Sequence, residues 1–336
     1  MKSFIYRIFV MFIIPLLLIL LLIVLWDPFK IYFNYSHQNE ENISVNREYN
    51  CLKLLENNTD TISNFIVGNS RSLAFRTENW SDKINVNPKT CFHYDASGMG
   101  LYRLTNSIEY LSSHYKINNL LIIMDVGMFS EVENPKNIFG IQPPRVSHIN
   151  KLSYFLIFIK ASLDPIFIAS KVVYYITNKY FDFMKYYIPT NKYKSRYLKN
   201  GDIIFSYDQA IKLDSINYYQ NIPKMYELYN RDNIQFISEK VIFDTQIQHL
   251  HKLQKTLIQN KINYKIVISP LYNQIKLNRS DLEYLYRLLG QSNIYDFSGI
   301  NVLTSNITNY YESSHFKPYV ANKIMDSIYF TPSESH

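Results

Sequence analysis

The sequence predicts an α/β fold with a mainly parallel β-sheet and helices on both of its faces. Three short apolar runs of strand length carry this prediction: residues 64–67, 120–124 and 264–269. Segments of helical character lie between them, and this alternation is typical of parallel strands joined by crossover helices. The run at residues 120–124, Leu-Leu-Ile-Ile-Met, has no polar alternation and therefore predicts a strand buried on both faces.

Composition and charge narrow the classes of function. The chain has 336 residues, of which 47% are hydrophobic, which is enough for one large domain or two modest ones. The net charge of +7 comes from scattered basic side chains, and no Lys/Arg run suited to a phosphate backbone occurs. We therefore expect no nucleic-acid partner. The charge is consistent with a protein that functions beside an anionic membrane or envelope polymer, and equally with a basic surface that has no such partner.

An apolar segment near the amino terminus predicts a membrane anchor. Residues 8–26 contain no charged side chain, and a helix of this length just crosses a hydrocarbon core of roughly 30 Å. Lys2 and Arg7 precede the segment and favour a cytoplasmic amino terminus, while Trp26 stands where interfacial aromatics are enriched. We expect a single pass through a bacterial inner membrane, with the carboxyl-terminal domain on the periplasmic side.

A cleaved signal peptide is the alternative for this segment. Its apolar core is usually about 7–15 residues long and is followed by an Ala-x-Ala-like site. Residues 26–30 instead read Trp-Asp-Pro-Phe-Lys, without a pair of small residues. We therefore expect an uncleaved anchor over residues 1–27, followed by a membrane-proximal linker and short helix over residues 28–60.

The domain beyond the anchor is expected to cover residues 61–330. The expected elements, in chain order, are helix 47–56, strand 64–67, a helix after Ser70, a strand from residue 92, helix 101–114, strand 120–124, helix 236–260, strand 264–269, helix 282–289, strand 293–297 and helix 319–329. Apolar side chains at helical spacing support the helix at 236–260; they are Ile247, Leu250, Leu253 and Leu257.

An insertion over residues 130–235 is expected to interrupt this domain. Its first part, residues 151–188, is apolar enough to raise the alternative of a second membrane span. Lys160 and Asp164 interrupt the run near its middle, where charges are costly in lipid. A span would also place Ser70 and the chain end on opposite sides. We expect two helices that pack on the domain or lie at the bilayer surface, and then an irregular lid or substrate-binding region.

The cysteines and the closely spaced histidines give no signature of a metal site. Cys51 and Cys91 could pair in an oxidising compartment or remain two buried thiols, and the sequence leaves both alternatives open. His249 and His251 are two positions apart on a predicted helix, so their side chains point in different directions. We expect neither a metal nor another cofactor.

Ser70 follows the first predicted strand in a Gly-x-Ser pattern, at the point where a helix can begin. Free backbone N–H groups at such a corner favour developing negative charge. A serine nucleophile needs a base, and a histidine base needs a carboxylate that orients its ring. Glu312 and His315 are spaced so that both side chains can point the same way in a loop or first helical turn.

These motifs resemble the SGNH/GDSL hydrolase superfamily, in particular its membrane-anchored branch resembling DltD and the alginate O-acetylation proteins. Besides the anchor, the resemblance depends on Gly-Asn-Ser-Arg-Ser at 68–72, Tyr-Asp-Ala-Ser-Gly at 94–98 and Glu-Ser-Ser-His-Phe-Lys-Pro at 312–318. It covers residues 60–125 and 262–330 and leaves the middle of the chain unmatched. It implies a flavodoxin-like three-layer αβα sandwich.

The resemblance implies a catalytic triad. Ser70 takes the place of the nucleophile and His315 that of the base. Glu312 stands where the family usually has an aspartate in an Asp-x-x-His pattern. The extra methylene moves the carboxylate, and glutamate serves as the orienting acid in other triads.

The resemblance also implies an oxyanion hole, formed by the backbone N–H groups of Ser70 and Gly98. The family adds an asparagine donor from a Gly-x-Asn block, but here Asp125 follows the corresponding strand, and an ionised aspartate only accepts. Candidates for a replacement donor are Asn69, Arg71 and Asn273. Asp95 and Tyr272 are candidates for lining the cleft, although ordinary loop packing accounts for both equally well.

The function expected from this resemblance is an envelope-side serine esterase or O-acyltransferase that deacetylates or acetylates a cell-envelope polysaccharide. The two reactions share an acyl-enzyme and differ in whether water or a sugar hydroxyl accepts the acyl group. The alternative is a non-catalytic, membrane-anchored glycan-binding or assembly partner of an acyl-transferring membrane protein. The missing asparagine and the apolar insertion favour this alternative.

Overall fold

A parallel five-stranded sheet organises the chain. The structure is a computed structural model that describes residues 2–33, 44–184, 187, 196–204, 206–222 and 224–329. Its strands are β1 (Asn64–Gly68), β2 (Cys91–Asp95), β3 (Asn119–Met124), β4 (Arg196–Tyr197), β5 (Ile203–Ile204), β6 (Asn263–Ile268), β7 (Ile294–Asp296), β8 (Tyr310–Glu312) and β9 (His315–Phe316).

Helices precede, connect and follow these strands. They are α1 (Lys2–Trp26), α2 (Arg47–Glu56), α3 (Thr77–Lys83), α4 (Leu101–His114), α5 (Pro144–Ser147), α6 (Lys151–Ser162), α7 (Pro165–Thr177), α8 (Ser206–Leu213), α9 (Ser215–Gln220), α10 (Asp244–Gln259), α11 (Arg279–Leu289), α12 (Val302–Ser305) and α13 (Pro318–Ile328).

The strand order of the main sheet is β2-β1-β3-β6-β7, and all four pairings are parallel. The register sets Gly68 opposite both Asp95 and Ile123, and Met124 opposite Ile268. The carboxyl ends of these strands therefore meet along one edge. The predicted α/β fold with a mainly parallel sheet is confirmed.

Apolar side chains of each strand alternate between two cores, one on each face of the sheet. Phe65 and Val67 of β1 pack with residues of α2, α4, α10 and α11, whereas Ile66 packs with residues of α3 and α13. Burying one such side chain contributes roughly 1.5–3 kcal/mol. This double burial explains why the strands read as uninterrupted apolar runs.

One predicted helix boundary is wrong by eight residues. The helix expected from residue 236 begins at Asp244. Before it the chain is extended, with Ile237 bridged to Lys276, and the Asp281 carboxylate accepts from the backbone N–H of Val241 at 2.7 Å. This long-range contact outweighs the local helical pattern, because the carboxylate satisfies an N–H that a helix would otherwise bond.

α1 is the element that corresponds to the predicted anchor. Its residues Phe9–Trp26 are long and apolar enough to cross a membrane, and only 6% of them are buried. A signal sequence meets the same criterion. Among the described residues, a second span is conceivable only as the combined pair of α6 and α7, which is bent by 56°.

The described part of the 189–235 region is more regular than expected. β4 and β5 form a hairpin whose turn lies against the edge strand β2, and His93 N–H donates to the Asn200 carbonyl at 2.7 Å. Gly201 has φ +82°, and a Cβ there would come within 2.0 Å of the His93 carbonyl oxygen. Only glycine fits at position 201, because the two backbones are in contact there and leave no room for a Cβ. The left-handed conformation of this residue also favours glycine.

The two cysteines are free thiols, so the disulfide alternative is wrong. Cys51 packs in the core with α4, whereas Cys91 packs in the core on the other face of the sheet. Burial, followed by the nearby Asp95 charge, raises the pKa of Cys51 well above its ordinary value. Burial raises the pKa of Cys91 to about 11.

These raised thiol pKa values predict slow alkylation, because only the thiolate reacts and little forms at pH 8. We expect neither thiol of the native full chain in detergent to react with iodoacetamide on a timescale that labels both after denaturation. Mass spectrometry counts the adducts. A rapid native adduct, or no adduct after denaturation without reductant, would contradict the assignment.

Candidate active site

Ser70 lies directly beyond β1 and begins a short 3-10 turn, Ser70–Ala74. Asn69 caps this turn, since its side-chain oxygen accepts from the Arg71 N–H at 3.0 Å. Steric contact explains why the Gly-x-Ser pattern has glycine at position 68. A Cβ on Gly68 would lie 2.8 Å from the Ile123 carbonyl oxygen of β3. A tight turn thus stands where a helix was expected after the serine, and α3 begins only at residue 77.

Asp125 joins the ends of β1 and β3. Its Oδ2 accepts from Asn69 Nδ2 at 2.6 Å and from Arg71 Nη1 at 2.8 Å, while its Oδ1 accepts from the Gly127 N–H at 2.8 Å. The carboxylate is 2% exposed and the Arg71 side chain 24%. Asn69 and Arg71, the two candidates on the serine turn for a replacement oxyanion donor, thus both donate to Asp125.

The predicted oxyanion donors lie on two neighbouring strand ends. Gly98 has φ +56°, and its carbonyl accepts from the buried Arg103 guanidinium. Arg103 is held in turn by Glu131, with Nε to Oε1 at 2.7 Å. Within the described part of the chain, neither the Ser70 N–H nor the Gly98 N–H donates a hydrogen bond to the protein. Neither group is therefore occupied by a protein acceptor.

Glu312 and His315 form a hydrogen-bonded pair on the β8–β9 hairpin. His315 Nδ1 contacts Glu312 Oε1, and Glu312 Oε2 accepts from the Ser314 N–H at 2.7 Å. The Glu312 side chain is 6% exposed and that of His315 is 17% exposed. The carboxylate is therefore fixed by its own hairpin and orients the ring.

This hairpin packs against the serine turn. β9 contacts the Ser70–Ala74 segment, and the rings of Phe75 and Phe316 meet edge-on with centroids 6.1 Å apart. α13, which follows β9, contacts the same turn. The structure therefore brings Ser70, Glu312 and His315 into one region, although 242 positions separate Ser70 from Glu312.

Tyrosines of the insertion pack around the histidine-bearing hairpin. Tyr207 of α8 contacts Tyr311 of β8 and Tyr218 of α9, with ring centroids 5.6 and 5.9 Å apart. Tyr219 OH donates to the Tyr310 carbonyl at 3.3 Å. Burial, followed by the Glu312 charge, raises the pKa of Tyr207. Sequence reasoning assigned no role to these tyrosines, and their high number was the only signal.

Asp95 belongs to a buried network at the carboxyl end of β2. It is fully buried, pairs with the Arg47 guanidinium and accepts from the Cys51 thiol at 3.3 Å. The network ties α2 to the strand end.

Tyr272 and Asn273 follow β6. Tyr272 is 1% exposed, and the Arg231 guanidinium lies 4.4 Å from the centre of its ring. Asn273 is exposed, and its side-chain oxygen accepts from the Ile275 N–H at 3.3 Å. Packing against residues 229–231 accounts for the placement of Tyr272, and a local turn accounts for that of Asn273.

A second serine and a second histidine form a hydrogen-bonded Ser-His-Asp chain near the serine turn, and sequence reasoning missed it. Ser72 Oγ is 2.8 Å from His93 Nε2, and His93 Nδ1 is 3.0 Å from Asp202 Oδ1. The three residues come from the serine turn, β2 and the β4–β5 hairpin. His93 and Asp202 are 109 positions apart, and no local pattern marks either residue.

Hydrogen-bond geometry argues against a catalytic role for this second chain. Ser72 Oγ donates to the Asn69 carbonyl at 2.7 Å, so its proton points to the backbone and not to the His93 ring. Ser72 and His93 are moreover fully buried.

His249 and His251 have separate partners. His249 Nε2 lies 3.0 Å from the Val132 carbonyl oxygen, and His251 Nε2 lies 3.3 Å from Tyr284 OH. Within the described ranges, no group of three His, Cys, Asp or Glu side chains is placed to hold a metal ion.

Comparison with protein-family models found no match, and comparison with curated protein sequences found no relative.

Asp202→Ala is expected to lower the free energy of unfolding by about 3 kcal/mol, because it leaves the buried His93 ring without its hydrogen-bond partner. It also removes the acceptor of the Thr77 hydroxyl at 2.9 Å. Asp214→Ala is the matched control, since it removes only the exposed cap of α9 and should cost about 1 kcal/mol. Denaturant unfolding of the full chain in detergent measures both. Equal small losses would contradict a stabilising role for the buried Asp202 carboxylate.

Proposed function

We propose that this protein is a membrane-anchored serine esterase or O-acyltransferase of the SGNH/GDSL type, with Ser70, His315 and Glu312 as its triad. One observation carries the proposal. The Glu312–His315 pair lies on a hairpin that packs against the turn beginning at Ser70. A nucleophile, a base and an orienting acid on adjacent segments are what acyl transfer through serine needs.

The proposed fold is a flavodoxin-like three-layer αβα sandwich. In order of appearance, the five strands of the main sheet are arranged 2-1-3-4-5, which is the order of that fold. Helices contribute to both cores. In such sheets ligands bind beyond the carboxyl ends of the strands, where Ser70, Gly98 and Asp125 stand.

The proposed reaction begins when Ser70 Oγ attacks the ester carbonyl and His315 takes the hydroxyl proton. The negative oxygen of the tetrahedral intermediate accepts from the Ser70 and Gly98 N–H groups, each donor being worth about 2.7–4 kcal/mol. The intermediate collapses to an acyl-Ser70 ester, and the leaving alcohol takes the proton from His315. Water or a sugar hydroxyl then loses a proton to His315 and attacks the acyl group. The second tetrahedral intermediate collapses to the acid or the new ester, and the leaving Ser70 Oγ takes the proton back from His315.

The proposed substrate is an acetylated cell-envelope polysaccharide on the periplasmic side of a bacterial inner membrane. An anchor at α1 would hold the domain near envelope polymers. The tyrosines around the β8–β9 hairpin have apolar ring faces and polar tips, a combination that suits sugar rings. An acyl-transferring membrane protein is a candidate partner, because a transferase acting outside the cytoplasm needs an acyl donor.

A second candidate function is a non-catalytic glycan-binding partner of such a membrane protein. One observation favours it. Asp125 occupies the position of the family's asparagine donor, and Asn69 and Arg71 are directed at its carboxylate. Fewer donors then remain for an oxyanion.

Covalent labelling tests the catalytic proposal. A fluorophosphonate probe should form one adduct on the full chain in detergent, because activated serine attacks phosphorus. Trypsin cleaves after Arg71, so an adduct on Ser70 falls on peptide 54–71 and one on Ser72 falls on peptide 72–76. Ser70→Ala should abolish labelling, and His315→Ala should greatly reduce it.

Ser72→Ala is the matched control and should keep the adduct, provided that its unfolding curve shows a folded protein. An adduct on peptide 72–76 would move the nucleophile to Ser72. The absence of any adduct on folded protein would favour the binding function.

Acetyl content of the envelope polysaccharide tests the substrate. In cells that carry Ser70→Ala in place of the natural gene, an esterase predicts higher acetyl content and a transferase predicts lower content. Ser72→Ala cells should match the natural strain. Unchanged acetylation in the Ser70→Ala strain, with the protein present in its membrane, would rule out this substrate.

A further inference from the structure

The helix pair α6–α7 exposes large apolar side chains over most of its outer surface. Those at least 40% exposed are Leu152, Leu156, Leu163, Ile166, Ile168, Val172, Tyr175 and Ile176. A helix that is apolar on all sides belongs in a protein core or in lipid. Water-soluble surfaces rarely carry a continuous apolar patch of this extent.

The inner side of this pair packs on the end of α1. Phe29, just beyond α1, lies between Phe167 and Phe158, with ring centroids 5.0 and 5.9 Å away. Trp26, the last residue of α1, meets Phe167 at 5.9 Å. The pair is therefore fixed beside the point where the anchor leaves the hydrocarbon core.

The pair does not cross a membrane. Chain segments on both sides of it belong to the same sheet, since β3 pairs with β6 from Asn119↔Asn263 to Met124↔Ile268. A single crossing would separate these strands. Two crossings fail on length, because helices of 12 and 13 residues span roughly 18 and 20 Å against a hydrocarbon core of about 30 Å.

We propose that α6 and α7 lie in the membrane interface on the side of the sheet domain, with their outer apolar faces in lipid. The occupant of this face is the bilayer that surrounds α1. At the end of α1, Leu22 is 64% exposed and Leu25 is 62% exposed, and α6 contacts α1 there. Lipid that covers these side chains also reaches the helix pair.

Charge around the pair fits an anionic lipid surface. Residues 144–184 contain five basic and two acidic side chains. Lys and Arg side chains near an anionic membrane surface are attracted to it. Lys160 and Lys171 have flexible stems that can place their ammonium groups among headgroups while the apolar faces stay in lipid. Interfacial helices lie about 5–10 Å deep, at the boundary of headgroups and acyl chains.

Tryptophan quenching by brominated lipid tests this placement. The full chain is reconstituted in vesicles of phosphatidylcholine and phosphatidylglycerol brominated on the acyl chains, with Trp26→Phe removing the anchor signal. Trp80 is the other native tryptophan, and its emission, measured on the Trp26→Phe protein alone, is subtracted. Added tryptophans at Leu156→Trp and Ile168→Trp should lose most of their emission relative to unbrominated vesicles. Ile258→Trp, at a 63% exposed position on α10, is the matched control and should not be quenched by bromine.

Aqueous iodide gives the complementary readout. We expect iodide to quench the control tryptophan at 258 and to spare those at 156 and 168. Iodide quenching at 156 and 168 equal to the control would show a water-exposed face and overturn the proposal. Protection from both bromine and iodide would overturn it in favour of a second copy covering the face.

Discussion

Parallel pairing of β1 with β3, and of β3 with β6, is the interaction on which the candidate site depends. It aligns the carboxyl ends of strands that lie up to 200 positions apart in the sequence. The Ser70 turn, Gly98 and Asp125 reach one edge only because these strands run in the same direction. The close contact between Gly68 and the Ile123 carbonyl fixes the spacing between the carboxyl ends of β1 and β3. No local interaction of the serine turn could achieve this alignment.

Sequence reasoning found the elements that leave a local pattern. The parallel strands are buried on both faces, and their apolar runs therefore marked them. Glu312 and His315 are three positions apart, so their pairing follows from local geometry. Interactions between distant residues left no pattern. Asp281 keeps the segment before α10 extended, and Asp202 holds His93, in each case through a side chain from a remote segment. Polar residues in such contacts look like ordinary surface residues in sequence.

Two buried carboxylates near the strand ends share one electrostatic arrangement. Asp95 pairs with Arg47, and Asp125 pairs with Arg71. An unpaired carboxylate here would disfavour negative charge on a nearby ligand oxygen, because attraction and repulsion are strong where water is excluded. Pairing offsets this repulsion and ties α2 and the serine turn to the sheet. The side chains that pair with these carboxylates thus stabilise the fold and also set the electrostatic potential at the candidate site.

The contact between Gly201 and β2 has a consequence for association between chains. β2 is an outer strand of the sheet, and an open strand edge offers unpaired N–H and carbonyl groups to another molecule. The turn of the β4–β5 hairpin takes the His93 N–H and lies against the strand backbone. A segment inserted far away in the sequence thus covers the outer edge of β2 at His93, where another chain could otherwise pair with the strand.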